Sequence, residues 1–231
     1  MSLDRGWEFR LSSRGKNQGS EIEEVVDVPH DFSIVQERDA GSPGGASNGF
    51  FRGGVGTYER TITVPADWSG RQVVLELEGV YMNATVRGNR QLVTYLPYGY
   101  TTFWSDLTPY IRFGQENRVS ITVNNGAMPN TRWYSGSGLY RHVWLHVVPK
   151  THIAPWGVSV TTPKTDPGSS VVMIETTIER SDTVPSAARV RQTLRDTDGT
   201  SVATDEIGLT IEGDSRLVVD QRKASGSTVY R

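Results

Sequence analysis

The chain has 231 residues, room for one large or two modest domains. Apolar residues make up 36%, charged residues 22%, and the formal net charge is -2, which leaves no electrostatic case for nucleic acid or an anionic membrane surface. No apolar run approaches the ~20 residues needed to cross a bilayer as a helix, and the lack of cysteine excludes disulfides and thiolate metal sites.

The opening Met1-Ser2-Leu3-Asp4-Arg5-Gly6-Trp7 lacks the apolar core of a signal peptide. Read as a cloning remnant, Met1–Leu3 would leave the compartment open. His30 and Asp31 stand together in an extended stretch, where neighbours point to opposite sides, so they are not expected to work as an acid/base dyad. Asp31 reads as a turn or cap acceptor. The glycine-rich stretch from Asp39 to Gly54 reads as a mobile loop. Gly53, Gly54 and Gly56 cradle no phosphate, because no helix follows to offer its N-terminus. They fit a loop that passes close to another backbone.

Short β-branched and aromatic runs then recur between Gly, Pro, Asn and Asp, the pattern of an all-β sandwich or jelly roll. Strands are predicted over Tyr58 to Val64, Val73 to Leu77, Ala84 to Arg87, Gln91 to Tyr95, Arg118 to Val123 and Leu139 to Val148. Gly88-Asn89 is the expected hairpin loop between the third and fourth. Glu76 and Glu78 share a strand face, read as solvated rather than as a catalytic pair. Strand alternation over Tyr98, Tyr100, Phe103 and Trp104 would send half of these rings into the core. Core and domain interface is therefore the simpler reading, and a sugar-stacking platform the other. His142 and His146, four apart on a strand, would lie about 13 Å apart, and the four histidines as a whole lack helical zinc spacing. No metal and no cofactor is expected.

The stretch Arg132-Trp133-Tyr134-Ser135-Gly136-Ser137-Gly138-Leu139-Tyr140-Arg141 carries three aromatics, two glycines and two arginines, with no carboxylate between Ala127 and Arg141. Aromatic faces and guanidinium forks hold sugars or neighbouring domains. The stretch therefore reads as half of a site. Arg132, Trp133, Tyr134 and Gly53 are the candidate pocket-rim residues, while Arg141 suits an interdomain or structural ion pair.

A break is expected at Pro149-Lys150, dividing the chain into 1–149 and 150–231. Beyond it Ile153 to Thr162, Val171 to Ile178, Ala188 to Leu194 and Val202 to Ile207 read as strands. Thr162 to Gly168 reads as a polar turn, and Asp198-Gly199 as a hairpin turn. This spacing suggests an immunoglobulin-like sandwich, which usually needs about seven strands and ~100 residues. By that measure the second domain stops one or two strands early, and the chain reads as a fragment.

Six short motifs, in order, carry a resemblance. Val28-Pro29-His30-Asp31-Phe32-Ser33, Gly53-Gly54-Val55-Gly56-Thr57-Tyr58-Glu59-Arg60, Leu77-Glu78-Gly79-Val80-Tyr81-Met82-Asn83-Ala84, Tyr98-Gly99-Tyr100-Thr101-Thr102-Phe103 with Asp106-Leu107-Thr108, Glu116-Asn117-Arg118-Val119, and the Arg132–Arg141 stretch together resemble the start of glycoside hydrolase family 2 enzymes. That family includes β-galactosidases, β-glucuronidases and β-mannosidases. The resemblance implies a jelly-roll sugar-binding domain (galactose-binding-like), then an immunoglobulin-like domain, then a (β/α)₈ barrel that holds two catalytic glutamates, the acid/base within an Asn-Glu pair. Thr57, Phe32 and Tyr98 depart conservatively from the commoner residues.

No asparagine here is followed by glutamate, and a barrel takes ~250 residues. The chain is therefore expected to hold no catalytic residue and to be inactive alone, although the resemblance implies a parent that is a retaining exo-β-glycosidase of β-galactosidase type acting in carbohydrate metabolism. Retaining hydrolysis needs two carboxyl groups ~5–5.5 Å apart, and these would lie on the barrel. The implied partners are a β-glycoside in the full enzyme and the barrel in cis, with a homo-oligomer compatible. The compartment stays open, with the bacterial cytoplasm or periplasm the first expectation. Members often carry an acidic residue near the position of Arg132. A base there argues against a sugar-hydroxyl acceptor and suits a substrate carboxylate or a barrel acid. The alternative to a non-catalytic scaffold and pocket rim is an autonomous carbohydrate-binding module.

Overall fold

Burial alternates residue by residue along Trp7–Ser12 (β1), so that Trp7, Phe9 and Leu11 enter the core while Glu8, Arg10 and Ser12 face outward. The same period of two governs Gln72–Leu77 (β5) and most of Gln115–Asn124 (β10), and it is the signature of a sheet with one wet face. The computed structural model describes residues 1–12, 22–127, 131–166 and 169–226. The protein is nearly all β and divides into two compact units, Met1–Val147 and Val148–Arg231.

In the first unit a six-stranded antiparallel sheet runs in the order β2 (Ile22–Val26), β1, β4 (Val55–Val64), β10, β7 (Ala84–Gly88), β8 (Gln91–Leu96). Two three-stranded sheets accompany it. One is β3 (His30–Asp31), β11 (Gly138–Leu139) and β6 (Val80–Tyr81), and the other β12 (Val143–Val148), β5 and β9 (Phe103–Asp106). Inner faces of all three sheets meet in one core that includes Trp7, Phe9, Tyr58, Leu75, Leu77, Ile121, Leu139 and Leu145. Burying one such side chain fully contributes ~1.5–3 kcal/mol. Trp7, with no exposed surface, satisfies its indole N–H on the Leu3 carbonyl at 2.6 Å.

Two sequence expectations are corrected. The hairpin between β7 and β8 turns at Asn89-Arg90, both with positive φ (48° and 72°), while Gly88 remains in the ladder opposite Gln91. Two left-handed central residues make a primed turn, and Asn tolerates that conformation. Gly88 is small for packing instead, since a Cβ there would sit 3.0 Å from Tyr110. The single strand expected over Leu139 to Val148 is two, because the Tyr140 N–H leaves the ladder to donate to the Gly79 carbonyl at 3.2 Å. The stretch from Asp39 to Gly54 is a hydrogen-bonded loop around a 3₁₀ turn at Gly45–Asn48. It is tied by an Asp39–Arg52 ion pair and by Ser42 Oγ donating to the Phe51 carbonyl at 2.7 Å.

In the second unit β13 (Thr151–Asp166), β14 (Ser169–Arg180) and β17 (Ser215–Gly226) form one antiparallel sheet, and β15 (Ser186–Arg195) pairs with β16 (Ser201–Ile211) in another. Its core is small: Ile178, Ile211 and Val219, with Ala188, Val190, Leu209 and Leu217 packed around them. Thr162 to Asp166 continues β13 rather than turning, with a register shift between Thr161 and Lys164 that absorbs Pro163. Pro167 and Gly168 lie outside the described residues. The β15–β16 loop spans Asp196 to Thr200, closed by the Asp196 N–H on the Thr200 carbonyl at 3.0 Å and by Gly199 at φ 82°.

Candidate functional site

The short strand β11 is the middle of its sheet. Gly138 stands opposite Asp31 on one side and Tyr81 on the other. Its φ is 131°, and a Cβ would come within 2.5 Å of both the His30 carbonyl oxygen and the Tyr58 hydroxyl, so only glycine fits. The candidate stretch is thus pinned at its C-terminal half between segments that lie far away in sequence.

Asp31 fastens the rest. Its Oδ1 accepts from the Ser33 N–H (2.9 Å) and the Ser137 N–H (2.9 Å), and its Oδ2 accepts from the Tyr134 hydroxyl (2.6 Å). The first bond is the turn-acceptor role expected of Asp31. The other two cross 106 and 103 positions of sequence. Bonds to a carboxylate are the strong class. Burial, followed by the adjacent Asp31 carboxylate, pushes the Tyr134 hydroxyl well above its ordinary pKa, so it stays a donor. Beneath it Ser33 Oγ donates to Ser137 Oγ at 2.6 Å, and Asn125 Nδ2 donates to Ser137 Oγ at 2.7 Å and to the Gly136 carbonyl at 3.0 Å. All three side chains are buried.

The glycine run joins the same network. Ser33 Oγ is 3.0 Å from the Arg52 carbonyl, while Gly54 and Asn125 exchange backbone bonds at 3.3 and 2.9 Å. Half-buried Gly53 sits between these two attachments. Gly56 is required by packing, since a Cβ would meet the Phe32 ring at 2.6 Å.

The four candidate residues divide accordingly. Gly53 and Tyr134 belong to the anchor, and Tyr134 also meets Phe51 edge-on at 5.4 Å, with the Arg38 guanidinium 5.1 Å from the Phe51 ring. Arg132 and Trp133 are carried outward. Arg132 is exposed and makes no hydrogen bond or ion pair among the described residues. Trp133 is exposed and donates its indole N–H to the Tyr100 hydroxyl at 3.3 Å. Arg141 makes no ion pair among the described residues, and its guanidinium lies 5.9 Å from the Tyr140 ring.

Other titratable pairs are taken up structurally. His30 turns away from Asp31 and meets the Tyr58 hydroxyl at 2.9 Å, and burial lowers its pKa. Glu76 lies 2.6 Å from His146 and Glu78 accepts from Trp144 at 2.9 Å, so the pair expected to be solvated is bonded to side chains of the neighbouring strand β12. Among the described residues no group of three or more His, Asp or Glu could hold a metal ion.

Residues 47–149 match the model of the glycosyl hydrolases family 2 sugar binding domain. The chain carries the sugar binding domain of glycoside hydrolase family 2. It is 35% identical over 198 residues to a β-galactosidase of Bacteroides ovatus, a match that covers 86% of this chain and 23% of that protein. It is 28% identical over 158 residues to a β-glucuronidase of Bacteroides fragilis, covering 66% of this chain and 21% of the relative. A glycosyl hydrolase family 2 member from Bacteroides cellulosilyticus has a solved structure that superposes with a TM-score of 0.88 at 28% identity, covering 99% of this chain and 31% of that one. The chain therefore spans about a fifth to a third of the length of these three proteins.

Within the family 2 domain, Gly53, Asn125 and Arg132 to Tyr134 lie inside the matched segment, whereas Asp31 and Ser33 lie before it. Sequence reasoning missed Ser33, Asn125 and Ser137 as the buried anchor, and Tyr81 and Tyr140 as supports of the neighbouring bend. Ser and Asn are common loop residues, and nothing in their spacing announces partners about a hundred positions away. The available signal was the pairing of Gly136 and Gly138, two glycines two apart in a segment otherwise rich in large side chains.

Proposed function

We propose that this chain is a non-catalytic portion of a family 2 glycoside hydrolase of β-galactosidase type, in which it braces a catalytic barrel and lends part of the substrate-pocket rim. In this reading residues 1–149 act as a jelly-roll sugar-binding domain and 150–231 belong to an immunoglobulin-like sandwich. One observation carries it: the anchor built on Asp31 holds Tyr134 to Ser137 from below and leaves Arg132 and Trp133 exposed on a fixed base. Buried, fully bonded polar networks rigidify what they hold, and a rim residue needs that rigidity to act on a ligand. Arg132 offers a guanidinium fork with no partner among the described residues, suited to a carboxylate on the substrate or on the barrel.

The reaction itself would fall to carboxylates elsewhere, since Asp31 is committed to three donors and Glu76 and Glu78 to their own partners. The test is hydrolysis of aryl β-galactosides and aryl β-glucuronides by the full-length protein and by this chain alone. The proposal expects turnover from the first and none from the second. Turnover by this chain alone, or none from the full-length protein on any aryl β-glycoside, would overturn it.

A further inference from the structure

Beside the anchored loop three large aromatic side chains stand exposed together: Tyr98 (56%), Tyr100 (47%) and Trp133 (59%). They were expected on a strand with alternate rings buried. Tyr98 and Tyr100 instead lie on a bend between β8 and β9, and the core receives Phe103 from the start of the next strand. The Tyr98 and Tyr100 rings meet edge-on at 5.7 Å, and Trp133 is tied to Tyr100 through its indole N–H.

The bend is fixed from two sides. Tyr81, almost wholly buried, packs so closely beneath it that a Cβ at Gly99 would fall 2.4 Å from its ring. The Tyr140 hydroxyl donates to the Gly99 carbonyl at 2.6 Å. Tyr81 also lies 5.1 Å from Tyr100. Exposed aromatic groups held this firmly have already lost the freedom that a ligand would otherwise have to remove.

Size and chemistry choose the occupant. Three rings of ~150–250 Å² each, about half exposed, offer on the order of 300 Å², well short of the ~800 Å² per partner of a stable protein interface. That area suits one or two sugar rings. The rings present apolar faces with hydroxyl and indole N–H groups at their edges, which match a pyranose with C–H groups on its face and hydroxyls around its rim. No Asp or Glu occurs from Tyr81 to Ser105 or from Ala127 to Arg141, so no carboxylate on these segments competes for the hydroxyl and indole N–H groups of the rings.

We propose that Tyr98, Tyr100 and Trp133 form a stacking site for a pyranose ring, on this chain's own surface. The proposal rests on the reading above only in taking a carbohydrate as the ligand class. The test is a calorimetric and tryptophan-fluorescence titration of the 231-residue chain with lactose and with methyl β-galactoside. Binding in the millimolar range is expected. Tyr100→Ala and Trp133→Ala should each weaken it about tenfold with the unfolding midpoint unchanged, Tyr100→Phe should keep most of it, and Trp156→Ala in the second unit should leave it intact. A flat titration, or binding indifferent to both alanine variants, would overturn the stacking site. Trp133 is shared with the pocket-rim reading, which is tested separately by the kinetics of Arg132→Ala in the full-length protein, so a flat titration of this chain leaves that reading standing.

Discussion

The Tyr134 hydroxyl donates a 2.6 Å hydrogen bond to the Asp31 carboxylate across 103 positions of sequence. This bond joins β3 to the loop between β10 and β11, and two backbone N–H groups share the same carboxylate. Hydrogen bonds to charged groups contribute about 1.5–3 kcal/mol, and leaving a buried donor unmet costs about as much. Tyr134→Phe is therefore expected to destabilise the chain by about 1.5–3 kcal/mol, and Asp31→Ala by more, because it strands three donors. Urea unfolding followed by tryptophan fluorescence checks both, and a Tyr134→Phe variant indistinguishable from wild type would refute the anchor.

Gly138 tests the same junction sterically. A Cβ there meets backbone and a buried hydroxyl at 2.5 Å, with φ at 131°. Gly138→Ala should cost about 2–4 kcal/mol from overpacking and backbone strain together. Gly208→Ala is the control, since a Cβ at Gly208 meets nothing within 4 Å. Equal unfolding midpoints for the two variants would contradict the account.

His30 makes stability depend on pH. Burial holds its pKa below the ordinary 6.5, with Glu24 and Asp31 only partly opposing. The unfolded chain therefore takes up the proton first. The contribution is fully present above pH 6.5 and is lost as pH falls through 6.5 toward the depressed folded value. Thermal unfolding at pH 7.5 and pH 5.5 should show a loss on acidification that is smaller in His30→Gln. A variant that loses more than wild type would reverse the sign and sink the claim.

Much of the fold is legible in the sequence because one face of each long strand is wet. Along β5 the alternation of Val73, Leu75 and Leu77 with Gln72, Val74 and Glu76 marks the core face directly. Where the chain leaves that regime, legibility fails. Tyr98 and Tyr100 looked like strand residues because they are aromatic and two apart, but the bend at Gly99 is dictated by Tyr81 and Tyr140, which come from elsewhere in the chain. Leu139 to Val148 looked like one strand because no Gly or Pro interrupts it, whereas tertiary hydrogen bonding of Tyr140 does. For the candidate site, Arg132 and Trp133 were visible as unusual residues in a glycine-rich frame. Their anchor was not, since the partnership of Asp31, Ser33, Asn125 and Ser137 exists only once the strands have paired.

The most direct test of the central claim is steady-state kinetics of Arg132→Ala in the full-length protein, on the aryl β-glycoside it turns over best. A residue that holds substrate equally in the ground and transition states changes KM alone. The account predicts a KM raised about tenfold, the loss of about 1.4 kcal/mol of binding, with kcat within about twofold of wild type. Kinetics identical to wild type would contradict it.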